Sequence, residues 1–519
     1  MYGEMMKTKY DWNFRGERSA TASFAVVNGT TYWPAGKVLG GSSAYASAYI
    51  RGNRRDFDGW EQEGNSGWGW NDVLPYFIKS ENNKVREVRE AYGGRYHGSD
   101  GPVTIDHYHV DSPFERLLVR IFEEAGERRL IDVNAEEHIG FVNYQNTLNG
   151  ATRCSSAKAF LSSVKERKNL HVIKNAFVRS IIFDDNNMVT GVEMILQDKF
   201  LIKAFAKREV ILSAGAINTP KLLMRSGIGP RKVLEPLEIP IRAELNVGQN
   251  LQEHAMVPMF FDLGARRSNV TELDVLRNLY VYTVHNRDQP VIETDGAFVF
   301  DFVNVKNESN EFPDMQYIYY LLTNQTTDSL KLLKTMNYNE KFIESLEKRL
   351  EQNDLLAVFN VALNPKSRGQ IQIVSNNARE DPKIFGGLLT NPNDIRDFEL
   401  SIRNRQQLFR TPLAVSSGIE LIKLDLPRCD QQLEYDSDEY WTCYCRHMSV
   451  PIWHPVGTTK MGPASDAEAV VSSELKVHGV EGLRVVDNSI IPKMPSGNTL
   501  AVAMMIGEKG ADLIKLSYE

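Results

Sequence analysis

The stretch Glu209-Val-Ile-Leu-Ser-Ala-Gly-Ala-Ile-Asn-Thr-Pro-Lys-Leu-Leu-Met-Arg-Ser-Gly-Ile-Gly-Pro230 decides the fold. A short apolar run, typical of a buried strand, enters a turn of small residues. A helix should follow, with Pro220 in its first turn, where a proline costs no hydrogen bond. A strand that feeds a helix through small residues is an element of nucleotide-binding folds, so the stretch predicts an α/β protein.

The segments on either side of this stretch extend the prediction. Leu170–Val178 and Val189–Ile195 are rich in β-forming residues, and a turn at 184–187 separates them, which predicts a hairpin. Leu483–Asp487 predicts a further strand, and Gly497-Asn-Thr-Leu-Ala501 opens an apolar C-terminal helix. The middle of the chain, about 256 to 440, alternates β-like runs with a charged helix and could form a separate domain.

Length and composition exclude several classes of protein. The 519 residues correspond to about three domain-sized units, and 42% hydrophobic with 24% charged residues is ordinary for a globular protein. Disorder, collagen-like repeats and coiled coils are therefore excluded. A net charge of −7 offers no basic field for nucleic acid. No apolar run approaches the roughly 18 residues of a membrane span, so none is expected.

Standard catalytic and metal-binding signatures are absent from the sequence. It contains no phosphate-binding Gly-x-x-x-x-Gly-Lys loop, no His-Glu-x-x-His, no Gly-x-Ser-x-Gly and no Gly-x-Gly-x-x-Gly. Cys443, Cys445 and His447 alternate, and on a strand they would share one face, as metal ligands could. A second pair of ligands is missing. We expect no metal, and instead a core strand in which Cys443 either pairs with Cys429 or stays reduced.

His454 is the most informative single residue. It lies between Trp453 and Pro455 before a glycine turn, in a region that then supplies Asp487 and Asn498. An isolated histidine is more often a packing residue than a catalytic one. With an unperturbed pKa near 6.5, however, an imidazole can take a proton from an alcohol at neutral pH. Composition does not decide between the two roles.

Several long motifs together resemble the glucose-methanol-choline (GMC) oxidoreductases, and in particular the insect-type branch that includes FAD-dependent, quinone-reducing glucose dehydrogenase. They follow one another in the family's order and cover essentially the whole chain. These motifs are Gly36–Ser43, Tyr49–Asp58, Cys154–Leu161, Gly215–Pro230, Asn246–His254, and the segments around His454 and Asn498.

The resemblance implies an α/β (overall α+β) protein with two domains that are discontinuous in sequence. A Rossmann-like FAD-binding domain would comprise residues 1–60, 150–255 and 446–519. A substrate-binding domain with an antiparallel sheet backed by helices would comprise 61–149 and 256–445.

The resemblance also implies FAD as cofactor and assigns residues to it. Gly40, Gly41 and Ser42 would pass beside the flavin, and the backbone of Val178 would hold the adenine end. Asp487 and the turn at Asn498 and Thr499 would face the flavin and the pyrophosphate.

The reaction implied by the resemblance is oxidation of a small-molecule alcohol or sugar. The histidine matching His454 would take the hydroxyl proton while a hydride moves from carbon to flavin N5. The residue matching Asn498 would hydrogen-bond the substrate oxygen. Either a quinone or oxygen would accept the electrons.

One departure from the family leaves an alternative open. Family members begin with a strand, a Gly-x-Gly-x-x-Gly turn and a helix that hold FAD, whereas this chain matches the family from Tyr10–Trp12 onward. We therefore expect one βαβ unit to be missing and apolar strand edges to be exposed. A secretion signal could have been lost with it, so the location stays open and an extracellular one is compatible with the sequence. Ser42–Tyr49 is also one residue shorter than usual. The alternative is a non-catalytic relative that does not bind FAD and acts, if at all, as a binding protein.

Overall fold

A computed structural model describes residues 5–107, 112–150, 152–267, 271, 273, 280, 299–324 and 329–519. Helices and strands are mixed along the chain, which confirms the predicted α+β class. The α-helices are α1 Arg54–Gln62, α2 Trp70–Ser80, α3 Arg86–Glu90, α4 Pro113–Glu124, α5 Gly215–Arg225, α6 Arg231–Leu234, α7 Lys331–Thr335, α8 Glu340–Leu350, α9 Pro392–Leu408, α10 Pro412–Ser416, α11 Pro427–Asp430, α12 Asp438–Met448 and α13 Thr499–Leu516.

The strands are mostly short, and the longest have eight residues. They are β1 Phe14–Arg15, β2 Tyr32–Trp33, β3 Glu81–Asn83, β4 Val103–His107, β5 Gly140–Asn143, β6 Gln145–Asn146, β7 Leu148–Asn149, β8 Thr152–Arg153, β9 Ala176–Phe183, β10 Val189–Leu196, β11 Phe200–Phe205, β12 Val210–Leu212, β13 Ala255–Asp262, β14 Val299–Val303, β15 Met315–Leu322, β16 Leu355–Ala362, β17 Gln370–Gln372, β18 Lys383–Phe385, β19 Glu420–Leu421, β20 Val450–Pro451 and β21 Leu483–Val485.

A seven-stranded antiparallel sheet is the largest element. Its strand order is β19-β13-β16-β15-β14-β5, and β20 also pairs with β13. Every residue of β16 is buried, which means that both faces of the sheet are covered there. Helix α9 packs against β16, and the Ser401 hydroxyl donates to the side-chain oxygen of Asn360 at 2.9 Å. The middle of the chain thus forms an antiparallel sheet backed by helices.

The stretch from 209 to 230 folds as a strand, a turn and a helix. Strand β12 pairs in parallel with β21, and α5 follows it. Because α5 begins at Gly215, Pro220 lies inside the helix. The sequence predicted Pro220 in the first turn, and that prediction is wrong. A proline lacks the N–H that would reach the carbonyl four residues back. The Thr458 hydroxyl donates to that carbonyl, of Ala216, at 2.7 Å, so the oxygen is satisfied in another way.

The predicted hairpin is present, with a shifted start. Strand β9 begins at Ala176 and pairs with β10, while β11 adds a third antiparallel strand. Apolar side chains are exposed on this side of the molecule, including Phe205 (70% exposed) on β11 and Ile211 (41%) on β12. Within the described part of the chain, β12 has a strand partner, β21, on one side only.

The segment with Cys443, Cys445 and His447 is a helix, α12, and the predicted strand is wrong. The Ser437 side chain caps this helix by accepting from the Tyr440 N–H, which sets its start. Helical spacing brings Cys443 and His447 to one face, while Cys445 is buried elsewhere. Cys443 forms a disulfide with Cys429, one of the two outcomes expected for it.

In the described part of the chain, two large apolar clusters form most of the core. One surrounds the seven-stranded sheet, and the other combines β12, β21, α5 and α13 with a group of buried tryptophans near the N-terminus. Among the described helices, none has both the length and the apolar character needed to cross a bilayer.

Candidate active site

A cavity of about 830 Å³ lies where the two apolar clusters meet. This volume is in the upper part of the range for cofactor and ligand sites. Stretches that are far apart in sequence form its wall, namely residues from 34–48, 213–218, 452–455, 486–488 and 498–511. They include His454 and Asn498, the two residues that the sequence analysis placed in the reaction.

His454 follows β20 on a strained segment of backbone. Trp453 has a φ of 71°, a left-handed conformation that costs a bulky residue of order 1–3 kcal/mol. Two hydrogen bonds fix the segment: the Trp453 indole donates to the Tyr32 carbonyl at 3.1 Å, and the His454 N–H donates to the Glu253 carboxyl at 2.7 Å. The imidazole is therefore presented to the cavity from a rigid support.

Asn498 begins helix α13 without capping it. An asparagine at this position normally accepts a hydrogen bond from the first turn, but here the side chain makes no capping bond. The amide lies between two other groups. Its Nδ2 is 3.2 Å from Nε2 of His454, and its Oδ1 accepts from the Gln316 amide at 3.3 Å.

A second histidine lies behind His454. Nδ1 of His254 is 3.0 Å from Nδ1 of His454, and Nε2 of His254 is 3.2 Å from the carbonyl oxygen of Leu363. The two rings meet edge to face, with an interplanar angle of 87°. The polar side chains of the site thus form a continuous hydrogen-bonded series.

Burial controls the protonation of this series. It lowers the pKa of His254 to about 4 and that of His454 well below the usual range, and the neighbouring His254 lowers the latter further. Burial also raises the pKa of Glu253 well above its ordinary value, although backbone N–H groups, first that of His454, oppose the shift. At neutral pH both imidazoles are therefore uncharged.

The glycine-rich wall leaves room for a flat ligand. Gly40 and Gly41 adopt left-handed φ values of 88° and 55°, and the hydroxyl of Ser42 accepts from the Gly36 N–H. A Cβ added to Gly41 would meet no protein atom within 4 Å, so the space beside it belongs to the cavity. Backbone in this conformation allows a large ring system to approach closely.

Asp487 holds the end of β21 against the start of α5. One carboxylate oxygen accepts from the Gly215 N–H at 2.8 Å and the Thr219 hydroxyl at 2.6 Å, and the other accepts from Ser489. Asp487 itself lines the cavity, and its two oxygens hold the neighbouring segments in place through these hydrogen bonds.

Thr499 also lines the cavity, at the N-terminus of α13, where the helix carries a partial positive charge suited to an anionic group. Val178 does not reach the cavity and pairs with Met194 in the β9–β10 hairpin.

These features fit FAD. The cavity is large enough for a cofactor, one wall admits a flat ring system, and the N-terminus of α13 on the wall would suit an anionic group. Glu253, His254 and Gln316 were not predicted from the sequence to have roles in the site. Glu253 and His254 end a motif that served only as a match to the family, and Gln316 is a lone polar residue in the apolar strand β15.

Comparison with known proteins shows which proteins the chain is similar to. Family models for GMC oxidoreductase match residues 18–256 and 365–507. A glucose dehydrogenase [FAD, quinone] of Drosophila pseudoobscura pseudoobscura is 33% identical, over 100% of this chain and 80% of that protein. An ecdysone oxidase of Spodoptera littoralis is 32% identical over 99% and 84%. In fold, a formate oxidase of Aspergillus oryzae superposes with a TM-score of 0.81 at 24% identity, over 99% of this chain and 90% of that one.

Proposed function

The chain belongs to the GMC oxidoreductase family, as an FAD-dependent alcohol or sugar oxidoreductase, and on this premise we propose that His454 is its catalytic base. The hydroxyl group of the substrate loses its proton to His454, and the carbon that bears this hydroxyl loses a hydride. The C–OH group thereby becomes a carbonyl. When bound, FAD supplies the acceptor for the hydride.

The spacing of His454 and Asn498 supports this assignment. Nε2 of the imidazole and Nδ2 of the amide are 3.2 Å apart in the absence of substrate. A hydroxyl oxygen placed beside both nitrogens can donate its hydrogen to Nε2 and accept one from Nδ2. The same oxygen is then held by Asn498 and deprotonated by His454, and a base positioned in this way contributes about 10²- to 10⁴-fold in rate.

The wall of the cavity supports the assignment of residues to FAD. Gly40, Gly41 and Ser42 would lie beside the flavin, because their backbone borders open space. Thr499 and Asn498 would face an anionic part of the cofactor with the N-terminus of α13. Asp487 would shape the wall through its bonds to Gly215 and Thr219. For Val178 only the family resemblance supports contact with the adenine end.

The relatives narrow the substrate and acceptor to classes. One is named as a glucose dehydrogenase that uses quinone, and another as an ecdysone oxidase. We propose a small-molecule alcohol or sugar as substrate and either a quinone or oxygen as electron acceptor. Reoxidation of the reduced protein by oxygen alone, and then with added benzoquinone, decides between the two acceptors.

The juxtaposition of His454 and Asn498 on the cavity wall carries the proposal, and a pair of variants tests it. In FAD-loaded protein mixed anaerobically with an oxidisable alcohol, His454→Ala should slow bleaching of the flavin about 10²- to 10⁴-fold while leaving FAD bound. His171→Ala is the matched control, because His171 is exposed and away from the cavity. A His454→Ala protein that bleaches within a factor of a few of the control would show that the base lies elsewhere.

A further inference from the structure

The hydrogen bonds around His454 form one chain whose two ends lie on the seven-stranded sheet. At one end is the carbonyl of Leu363, just after β16, and at the other is Gln316 in β15. His254, His454 and Asn498 lie between them in that order, and the contacts measure 3.2, 3.0, 3.2 and 3.3 Å. Strands β15 and β16 pair directly with each other, so the sheet fixes the span of the chain.

The carbonyl end sets the direction of every proton in the chain. A carbonyl oxygen can only accept, so Nε2 of His254 must carry the hydrogen that faces Leu363. A neutral imidazole has one N–H, which leaves Nδ1 of His254 as an acceptor. Nδ1 of His454, 3.0 Å away, must then be the donor, and its Nε2 is left with a lone pair.

The other end of the chain agrees with this direction. The lone pair on Nε2 of His454 faces the Asn498 amide, which can donate to it through Nδ2. The Gln316 amide donates to Oδ1 of Asn498 and so holds the asparagine in that orientation. The opposite His454 tautomer would set its Nε2–H against the amide N–H and its Nδ1 lone pair against that of His254.

We infer that His254 is a positioning residue that fixes the tautomer of His454, with the proton on Nδ1 and the lone pair on Nε2. His254 acts through His454 and does not itself touch the position assigned to the substrate. The catalytic meaning of the inference rests on the proposed function, since it directs the basic nitrogen of His454 toward the hydroxyl that Asn498 holds.

The surroundings of His254 hold it in this role. The residue is fully buried, directly precedes β13, and follows Glu253, which binds the backbone of His454. Burial lowers the pKa of His254 to about 4 and outweighs the carbonyl of Pro495, which also interacts with the ring and favours its protonated form. Because burial favours the neutral ring, a single tautomer satisfies Leu363 and His454 together.

Two substitutions of similar shape separate the hydrogen bond from packing. His254→Asn places a carbonyl oxygen near the former Nδ1 and so keeps an acceptor for His454. His254→Leu has nearly the same shape as the asparagine variant but offers no acceptor. Histidine nitrogens labelled with ¹⁵N report the tautomer directly, because protonated and unprotonated ring nitrogens resonate in separate regions. A His454→Ala spectrum assigns the His454 signals.

In the wild type at neutral pH we expect the His454 signals to show a protonated Nδ1 and an unprotonated Nε2. His254→Asn should preserve this pattern, while His254→Leu should shift both signals toward each other as the tautomers mix. A wild-type Nε2 signal in the protonated region, or an unchanged pattern in His254→Leu, would overturn the inference. The wild-type spectrum alone remains decisive if the leucine variant does not fold.

The spectrum needs neither FAD nor substrate, so it can fail independently of the proposed function. Failure of His454→Ala to slow flavin bleaching would remove the catalytic role and leave the tautomer as measured. If the spectrum shows the other tautomer of His454 but His454→Ala still slows flavin bleaching strongly, His454 remains the base and His254 does not position it.

Discussion

The side chain of Asn498 makes hydrogen bonds within the site and does not cap the helix that it precedes. The sequence Gly497-Asn-Thr is a favourable helix start, and a capping asparagine stabilises a helix by about 1 kcal/mol. In the structure its side chain leaves the first turn uncapped and bonds to His454 and Gln316. A residue that forgoes its usual local bond for contacts far away in sequence is expected at functional sites.

His138 shows how burial of a single histidine links stability to pH. The ring packs against Phe302 at an interplanar angle of 59° and is buried, and burial lowers its pKa to about 4, against about 6.5 in an unfolded chain. Between these values the unfolded chain binds a proton that the folded one does not. The free energy of unfolding must therefore fall as the pH falls through this window.

Comparison with a variant isolates this contribution. Between pH 7 and pH 5, the wild type should lose about 2 kcal/mol more free energy of unfolding than His138→Gln, which has no imidazole to protonate. Urea unfolding of both proteins at the two pH values measures the difference. If the two proteins lose stability in parallel, His138 is not held neutral in the fold.

Some site residues could be predicted from the sequence and others could not. His454 and Asn498 lie in recognisable motifs, and the structure brings them to 3.2 Å from each other. Gln316 is an isolated polar residue in a strand, and its place follows only from the register of β15. Val178 was assigned from the resemblance alone; it is not among the residues that line this cavity, and its contact with the adenine end stays a prediction.

Helix α12 shows why spacing alone misleads at the level of an element. Alternating Cys443, Cys445 and His447 suit one face of a strand, but a Ser437 cap and acidic residues in the first turn start a helix. Cys443 and His447 then share a face, and Cys443 joins α12 to α11 through Cys429. With both thiols in the disulfide, no thiolate is left for a metal at that group.

The disulfide should stabilise this pair of helices. It closes a loop with a sequence separation of 14, for which the chain-entropy estimate is about 3 kcal/mol. A double variant, Cys429→Ser with Cys443→Ser, should lose about 2–4 kcal/mol of unfolding free energy in urea. Added reductant should destabilise the wild type by a similar amount and leave the double variant unchanged. If the wild type without reductant and the double variant have the same free energy of unfolding, the disulfide contributes nothing to stability.

Strands and helices around the deciding stretch were predictable in kind but not in their boundaries. The strand of β12 and the helix of α5 follow from the apolar run and the small residues. The early start of α5 depends on the Thr458 hydroxyl, which satisfies the carbonyl that Pro220 leaves free. That partner lies far away in sequence, so local propensity could not reveal it.

At the scale of the whole molecule, the cavity exists because distant segments converge. The glycine-rich N-terminal region, the turn after β12, the segment after β20 and the start of α13 meet between two apolar clusters. Each segment was visible in the sequence, and their order indicated the family. Their mutual distances depend on tertiary packing, which no local pattern encodes.

We propose that FAD bound in the cavity oxidises an alcohol, with His454 as the base. The most direct test of this proposal is anaerobic bleaching of the FAD-loaded protein by a panel of alcohols and sugars, each compared with its form deuterated at the reacting carbon. We predict bleaching by at least one of them, slower with the deuterated form because the carbon–hydrogen bond breaks as the flavin is reduced. Two results would contradict the account. In one, a chemical reductant bleaches the bound FAD but no alcohol or sugar does; in the other, the protein does not retain FAD.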